Sequence, residues 1–497
     1  MIAADPLFAQ RTAAKRQTAV TPAQKPAVQT DQVPFVNKTL SNGLEVIVLP
    51  DASVPIVTVE LAVRNGSFTE PPELNGLSHL YEHMFFKPNT AAVLNFCEGL
   101  QRSGKTASGC VGPMKLKDQI GDVSYLNNLN ELGITYNGST REEVVNYYFT
   151  TTSQYYATAM RVINDAVRFP RFDEGDFEDE KRVVIGELDR NEANPFSYLN
   201  DAMTDKLFYK YPTRKKPGGT RATVAAATTD QMRLIQSRYY FPNNAALIVA
   251  GGVKPEEVFA EAEKILGSWK PRAVDPFKEF PLVQHPPLEK SEAEIVEKQT
   301  GEESSNTDQN VFIQIGWQGP SIGKDDKATY AADVFSYILT QPDSRFQRKL
   351  VDSGLASAAS INYYTQRNVG PISLFLMTTP AKANAALKAA YAEVADFSKP
   401  GYFTDVELEN SKTILEANDL FDREKPSEYA HTLGFWWSST GIDYFRGYHK
   451  NLRAVSREDI DRYVETYIQN KPHVAIALLA PKVKEAAALT DESLIGK

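Results

Sequence analysis

Residues 79–83 read His-Leu-Tyr-Glu-His, and no other run constrains the chain as much. On a helix, positions four apart lie one above the other on a single face. His79 and His83 can then reach one zinc ion together. Glu82 follows His79 by three residues and lies close to the same face, where it can accept a proton from metal-activated water without being a ligand. The spacing is the H-x-x-E-H form of the metal-binding helix, and a helix of roughly residues 74–86 is expected. Two histidines leave zinc short of the three protein ligands usual for a catalytic site, so the third must come from elsewhere.

At 497 residues, with 42% hydrophobic content, the chain has material for two large domains or several smaller ones. A net charge of −9 and a pI near 5.4 argue against binding to nucleic acid or to an acidic membrane surface. No stretch approaches the roughly 20 apolar residues needed to span a bilayer; runs such as Ala245–Ala250 and Val474–Ala480 suit buried strands. Residues 1–33 form a tail rich in Ala, Gln, Thr, Pro and basic residues. Ile2–Gln10 resembles the end of a secretory signal, which would put the protein in a bacterial periplasm or outside the cell. A plain disordered N-terminus on a soluble cytoplasmic protein is the alternative. Cys97 and Cys110 could close a small loop in an oxidising compartment, and would be two ordinary thiols in the cytosol.

Leu44–Leu49 and Ile56–Arg64 alternate like strands. Residues 87–130 read as irregular. Ile134–Tyr136 and Val144–Thr150 suggest a strand pair joined through Asn137-Gly138-Ser139-Thr140-Arg141. Helices are expected at about 153–168 and 174–191, the second ended by Pro195, then at 228–239 and 254–267 around the strand 245–250. Residues 268–308, rich in Pro, Glu, Lys and Ser, read as a linker between domains 34–267 and 309–490. The second half repeats the plan: strand 311–317, helices 327–339 and 345–351, strands 358–364 and 372–378, helices 380–396 and 403–420, and strand 474–480. Tyr240-Phe241-Pro242-Asn243-Asn244 before one strand echoes Tyr467-Ile468-Gln469-Asn470-Lys471-Pro472 before another. We expect a duplicated α+β fold of two related domains. Where the first half carries its histidines the second has Thr329-Tyr330-Ala331-Ala332-Asp333, so one site per chain follows.

The helix at 176–191 offers Glu180 and Glu187, seven apart and on one face, and also Glu178, Asp179 and Asp189. Taken alone they read as a solvated charged face. Three longer runs go further: Thr39-Leu40-Ser41-Asn42-Gly43-Leu44, Val63 to Glu70, and Asn75-Gly76-Leu77-Ser78-His79-Leu80-Tyr81-Glu82-His83-Met84-Phe85-Phe86-Lys87. They resemble the opening of the pitrilysin/insulinase family of zinc peptidases, to which mitochondrial processing peptidase and many bacterial peptidases belong. Glu180 to Leu188 and Tyr240 to Leu247 continue the resemblance in the family's order. It implies Zn2+ held by His79, His83 and Glu187, Glu82 as general base, and Glu180 as a carboxylate supporting the ligands. Asn137 would hold the backbone of a peptide added to a sheet edge.

Two departures qualify the resemblance. His83 and Glu187 are 104 residues apart, more than the family usually shows, and the added length lies in 87–130. The family's second half-site is an Arg and a Tyr in a segment resembling Arg-Gly-Leu-Ala-Tyr; here Ser353 and Ser357 stand in their places. The resemblance therefore implies a peptidase subunit that needs a homologous partner, in a heterodimer or homodimer, to supply that pair. Arg348, Tyr363 and Tyr364 are candidates to replace it within the chain. A structural or assembly protein that keeps the fold and the metal is the competing reading. His285, His431, His449 and His473 read as structural or surface residues.

Overall fold

The computed structural model describes residues 35–91, 93, 94, 97, 103, 104, 129, 132–299 and 310–497. One sheet comprises β1 (Val36–Thr39), β2 (Glu45–Pro50), β3 (Ile56–Val63), β4 (Thr135–Thr140), β5 (Val145–Thr152) and β6 (Ala245–Gly251). Their order is β1-β2-β6-β3-β5-β4. The other comprises β7 (Glu292–Glu297), β8 (Val311–Gln318), β9 (Ala358–Tyr363), β10 (Pro371–Thr378) and β11 (Val474–Leu479), in the order β7-β11-β8-β10-β9. In each sheet a single neighbouring pair is parallel, β2 with β6 and β7 with β11. From β2 onward the two sheets therefore share order and sense. The fold is α+β, as the repeated sequence plan implies.

The helices repeat too. In the first half these are α1 (Leu77–Phe85), α2 (Tyr156–Arg168), α3 (Glu174–Glu192), α4 (Pro195–Leu207), α5 (Thr229–Tyr239) and α6 (Pro255–Leu266). The second has α7 (Asp326–Thr340), α8 (Ala383–Asp396), α9 (Asp405–Asp422), α10 (Pro426–Ser439) and α11 (Arg457–Tyr467). α1 and α7 each follow the corresponding strand, β3 or β8.

The central strands are apolar on both faces because helices cover both. Val57, Val59, Leu61 and Val63 of β3 join the core under α1. Ala62 and the alternate residues of β6 meet Tyr429, Leu433 and Trp437 of α10, a helix from the second half. The exchange is mutual: Leu199, Met203 and Leu207 of α4 pack on Val474, Ile476 and Leu478 of β11. Each half thus lends a helix to the other's sheet. Between α10 and β3 lies a charged link, from His431 Nδ1 to the fully buried Glu60.

Several expectations need correcting. Asn137-Gly138-Ser139-Thr140 is the body of β4 rather than a turn, and the chain reverses after it, at 141–144. Asn-Gly favours turns by permitting positive φ, but Gly138 serves a close approach inside the strand: a Cβ there would lie 2.6 Å from Glu82 Oε1. Pro195 opens α4 behind an Asn194 cap as well as following α3, since proline suits the first helical position. The stretch read as linker contains β7, whose Glu292–Glu297 pairs with β11. In the stretch read as irregular, Thr90, Ala91, Val93, Leu94 and Cys97 are helical. Cys97 is disulfide-bonded. Cys110 and most of 87–130 lie outside the described residues, as does the 1–33 tail. Among the described residues no helix is long and apolar enough to cross a membrane.

Candidate active site

α1 is fixed from below and from its N-terminus. Leu77, Leu80, Tyr81, Met84 and Phe85 are buried and hold one face against the sheet. Gly76 enters the helix at φ +87°, with Gly219 so close that a Cβ would lie 2.6 Å from its Cα. Glu70 meets the helix start, accepting the N–H of Gly76 at 2.8 Å and of Ser78 at 2.6 Å. A carboxylate at this end complements the positive pole of the helix. The remaining stripe presents His79, Glu82 and His83 to the neighbouring helix α3, capped by Asp173 through the Gly175 N–H at 3.0 Å.

His79, His83 and Glu187 each offer one ligand atom, and these atoms all lie within 4.8 Å of one another. Glu187 Oε2 is 3.6 Å from Nε2 of both histidines. Glu180 Oε2 is 2.9 Å from His83 Nδ1, and its other oxygen pairs with Lys87. A carboxylate behind a ligating imidazole fixes ring orientation and tautomer. Glu82 points into the cleft from a buried position and accepts a hydrogen bond from Thr140 Oγ1 at 2.8 Å. Asn137, also on β4, lines the same cavity, and its side-chain oxygen accepts the Gly138 N–H at 2.9 Å.

The electrostatics separate these groups. Burial, reinforced by the neighbouring His83, lowers His79 to about 4, so its imidazole is neutral near pH 7 with a lone pair to offer. For His83 burial acts downward but is outweighed by the bonds to Glu180 and Glu187, which hold it up at about 9. Burial lifts Glu82 to about 7 against the opposing Thr140 bond. The His83 bond, against burial, lowers Glu187.

Nitrogen and carboxylate donors that converge this closely fit a divalent transition metal, and two imidazoles with one carboxylate is a donor set zinc accepts. His79 Nδ1 is buried without a protein partner among the described residues, and a ligand at Nε2 would fix that ring's tautomer. The cavity over these groups measures about 740 Å³, and among the described residues every one lining it belongs to the first half. Phe86, Tyr136 and Tyr148 form its aromatic walls.

The second half contributes none of its proposed substitutes to this cavity. Ser353 and Ser357 donate to the backbone carbonyls of Lys349 and Met377, at 2.7 and 3.1 Å. Arg348 bonds to the Asp343 carbonyl. Tyr363 donates to the Pro320 carbonyl at 3.0 Å. Tyr364 alone comes near, in an adjoining cavity. His285 packs on Phe208, His449 bonds to Asp419 and His473 to Tyr391, all structural contacts. His431 does more, tying α10 to Glu60. The contacts of Thr140 with Glu82, Lys87 with Glu180 and His431 with Glu60 were not legible in the sequence, because each joins separate elements.

Two family models match the chain: "Insulinase (Peptidase family M16)" over residues 46–108 and 119–217, and "Peptidase M16 inactive domain" over 226–415. An uncharacterized zinc protease of Bacillus subtilis, YmxG, is 24% identical over 423 residues, 84% of this chain and 90% of its own. A probable mitochondrial-processing peptidase subunit beta of Arabidopsis thaliana is 23% identical over 459 residues, 89% of this chain and 78% of its own. Among solved structures, a protease from Helicobacter pylori superposes with a TM-score of 0.73 at 20% identity, covering 90% of this chain and 100% of that one. With both domain models in order along one duplicated fold, the chain belongs to the insulinase family of peptidases, M16.

Proposed function

We propose that this chain is the zinc-binding subunit of an endopeptidase that cuts unfolded peptides, with His79, His83 and Glu187 as zinc ligands and Glu82 as general base. The observation that carries this reading is the convergence of three ligand atoms within 4.8 Å beside a buried carboxyl held by Thr140. Bound there, zinc would polarise the scissile carbonyl and acidify water. Glu82 takes the proton of the attacking water and returns it to the leaving amine. Thr140 fixes the carboxyl, and Glu180 keeps the His83 ring in register. The peptide lies extended against β4, an edge strand, with Asn137 on its backbone.

The reading includes a division of labour. Residues 34–267 form the zinc-binding half and 309–490 an inactive repeat, joined through 268–308, whose β7 adds an edge strand to the second sheet. A homologous partner, or a second copy, supplies the Arg and Tyr that Ser353 and Ser357 replace; a cavity lined by the first half alone supports this. The proposed compartment is the periplasm or the cell exterior, on the strength of Ile2–Gln10.

The test is the Glu82→Gln variant, which should keep its zinc and lose turnover of a quenched fluorescent peptide. A purified variant with full activity would overturn the role of Glu82. A non-catalytic assembly protein is the second reading, favoured by the same one-sided cavity. A chain that holds zinc yet cleaves no peptide with any homologous partner would favour it.

A further inference from the structure

A second cavity, of about 420 Å³, opens beside the first and shares Ser139, Thr140, Tyr148 and Pro217 with it. Unlike the catalytic cavity, it is walled by both halves. Arg141 and Glu142 come from the turn after β4, while Tyr364 and His431 come from the second half. The Arg141 guanidinium sits 5.7 Å from the centre of the Phe435 ring and beside the Tyr364 hydroxyl. No carboxylate among the described residues is ion-paired to it. His431 gives Nδ1 to the buried Glu60, which outweighs burial and favours the imidazolium. Its Nε2 has no protein partner among the described residues. Glu142 is the one carboxylate in the wall, 3.4 Å from the Tyr364 hydroxyl, at the outer limit of a hydrogen bond.

Two nitrogen donors therefore face this space, a guanidinium over an aromatic ring and an imidazole nitrogen, while the Tyr364 phenol turns its proton towards Glu142. A planar guanidinium with free N–H groups matches a carboxylate in two-pronged geometry. The place is suited to substrate. Thr140 holds Glu82, and Arg141 is the next residue. Same-face side chains of an extended peptide recur about every 7 Å, so a cavity adjoining the first would take a side chain or terminus near the scissile bond.

We propose that this cavity is a substrate subsite for a carboxylate, carried by an acidic side chain or by the C-terminus of the peptide, with Arg141 as its main ligand. The proposal rests on the peptidase reading above.

The test uses the full-length, zinc-loaded Glu82→Gln chain, so that binding is read without turnover. Fluorescent peptides are compared by anisotropy in two arms: Glu against Gln scanned through positions flanking the centre, and free C-terminal acid against amide. In one arm the acid form should bind about tenfold tighter than its neutral twin. Arg141→Gln should reduce that ratio below twofold while the neutral twin binds as before, which also reports an intact cleft. Arg141→Lys, keeping charge without the fork, should fall between. Equal binding of acid and neutral forms in both arms would overturn the subsite, as would a preference that survives Arg141→Gln. The peptidase reading fails separately, if the unmutated chain, with or without a homologous partner, cleaves none of the peptides that this variant binds.

Discussion

Helix α1 follows β3 and helix α7 follows β8, at equivalent places in two sheets of the same order. Both bury an apolar face: Leu77, Leu80, Tyr81, Met84 and Phe85 in one, Ala328, Ala331, Ala332, Val334 and Phe335 in the other. They differ on the polar stripe. α1 sets His79, Glu82 and His83 against the carboxylates of α3. α7 has Thr329 bonded to Tyr444 at 2.7 Å and Asp333 bonded to Tyr448 at 2.6 Å. Counted from the first residue of each helix, Ser411 and Asn418 of α9 stand where α3 has Glu180 and Glu187. The fold therefore depends on the buried faces, which both halves keep, and not on the polar stripe, where the proposed ligands lie. A half without ligands still contributes, since α10 covers the first sheet and His431 answers Glu60.

The largest effect should come from Glu82→Gln, which removes the proposed base. Peptide turnover should fall by about 10²–10⁴-fold with zinc content unchanged, measured on protein of equal metal occupancy. The next test concerns the link between halves. His431→Ala leaves Glu60 buried with Asn146 as its remaining side-chain partner, and should cost about 3 kcal/mol of stability. Thermal unfolding would read this as a clear drop in Tm; an unchanged Tm would mean that the His431–Glu60 link adds nothing to the joining of the halves.

Glu180→Gln should weaken zinc binding by roughly 10–100-fold, as read in a competition titration with a chelator. An affinity equal to wild type would reduce Glu180 to the buried ion-pair partner of Lys87. The smallest effect concerns the half without ligands. Burial, against the Tyr448 bond, raises Asp333 to about 7 from an ordinary 3.8. The folded state then binds a proton that the unfolded state releases. This contribution is complete below about pH 4 and lost as pH rises towards 7. Asp333→Asn should be more stable than wild type by on the order of 1–3 kcal/mol above pH 7, with the gap closing towards pH 4. A gap independent of pH would show that the carboxyl titrates normally.

Local patterns were legible in the sequence. The H-x-x-E-H spacing specified α1 and its stripe, and the strands Glu45–Pro50, Ile56–Val63 and Ala245–Gly251 followed from alternating or continuous apolar runs. Glu187 was reached through resemblance, because seven-residue spacing alone also describes a solvated face. Misreadings arose where one residue type serves two purposes. Gly138 permits a turn or a close approach, and Pro195 ends one helix or starts the next. β7 was hidden because its Glu-Ala-Glu-Ile-Val-Glu sequence is half polar, as an edge strand permits. α4, α10 and α11 escaped notice, and with α4 and α10 the exchange of helices between sheets. That exchange rests on contacts across hundreds of residues, such as Glu60 with His431, which no local pattern encodes.

The central claim is that metal chemistry belongs to α1 and α3 and to no counterpart in the second half. Zinc per chain, measured by elemental analysis after dialysis for wild type, His83→Ala and Glu187→Gln, tests it most directly. The account predicts one zinc per wild-type chain, none retained by His83→Ala, and sharply weakened retention by Glu187→Gln. Two zinc ions per chain, or one held undiminished by either variant, would contradict it.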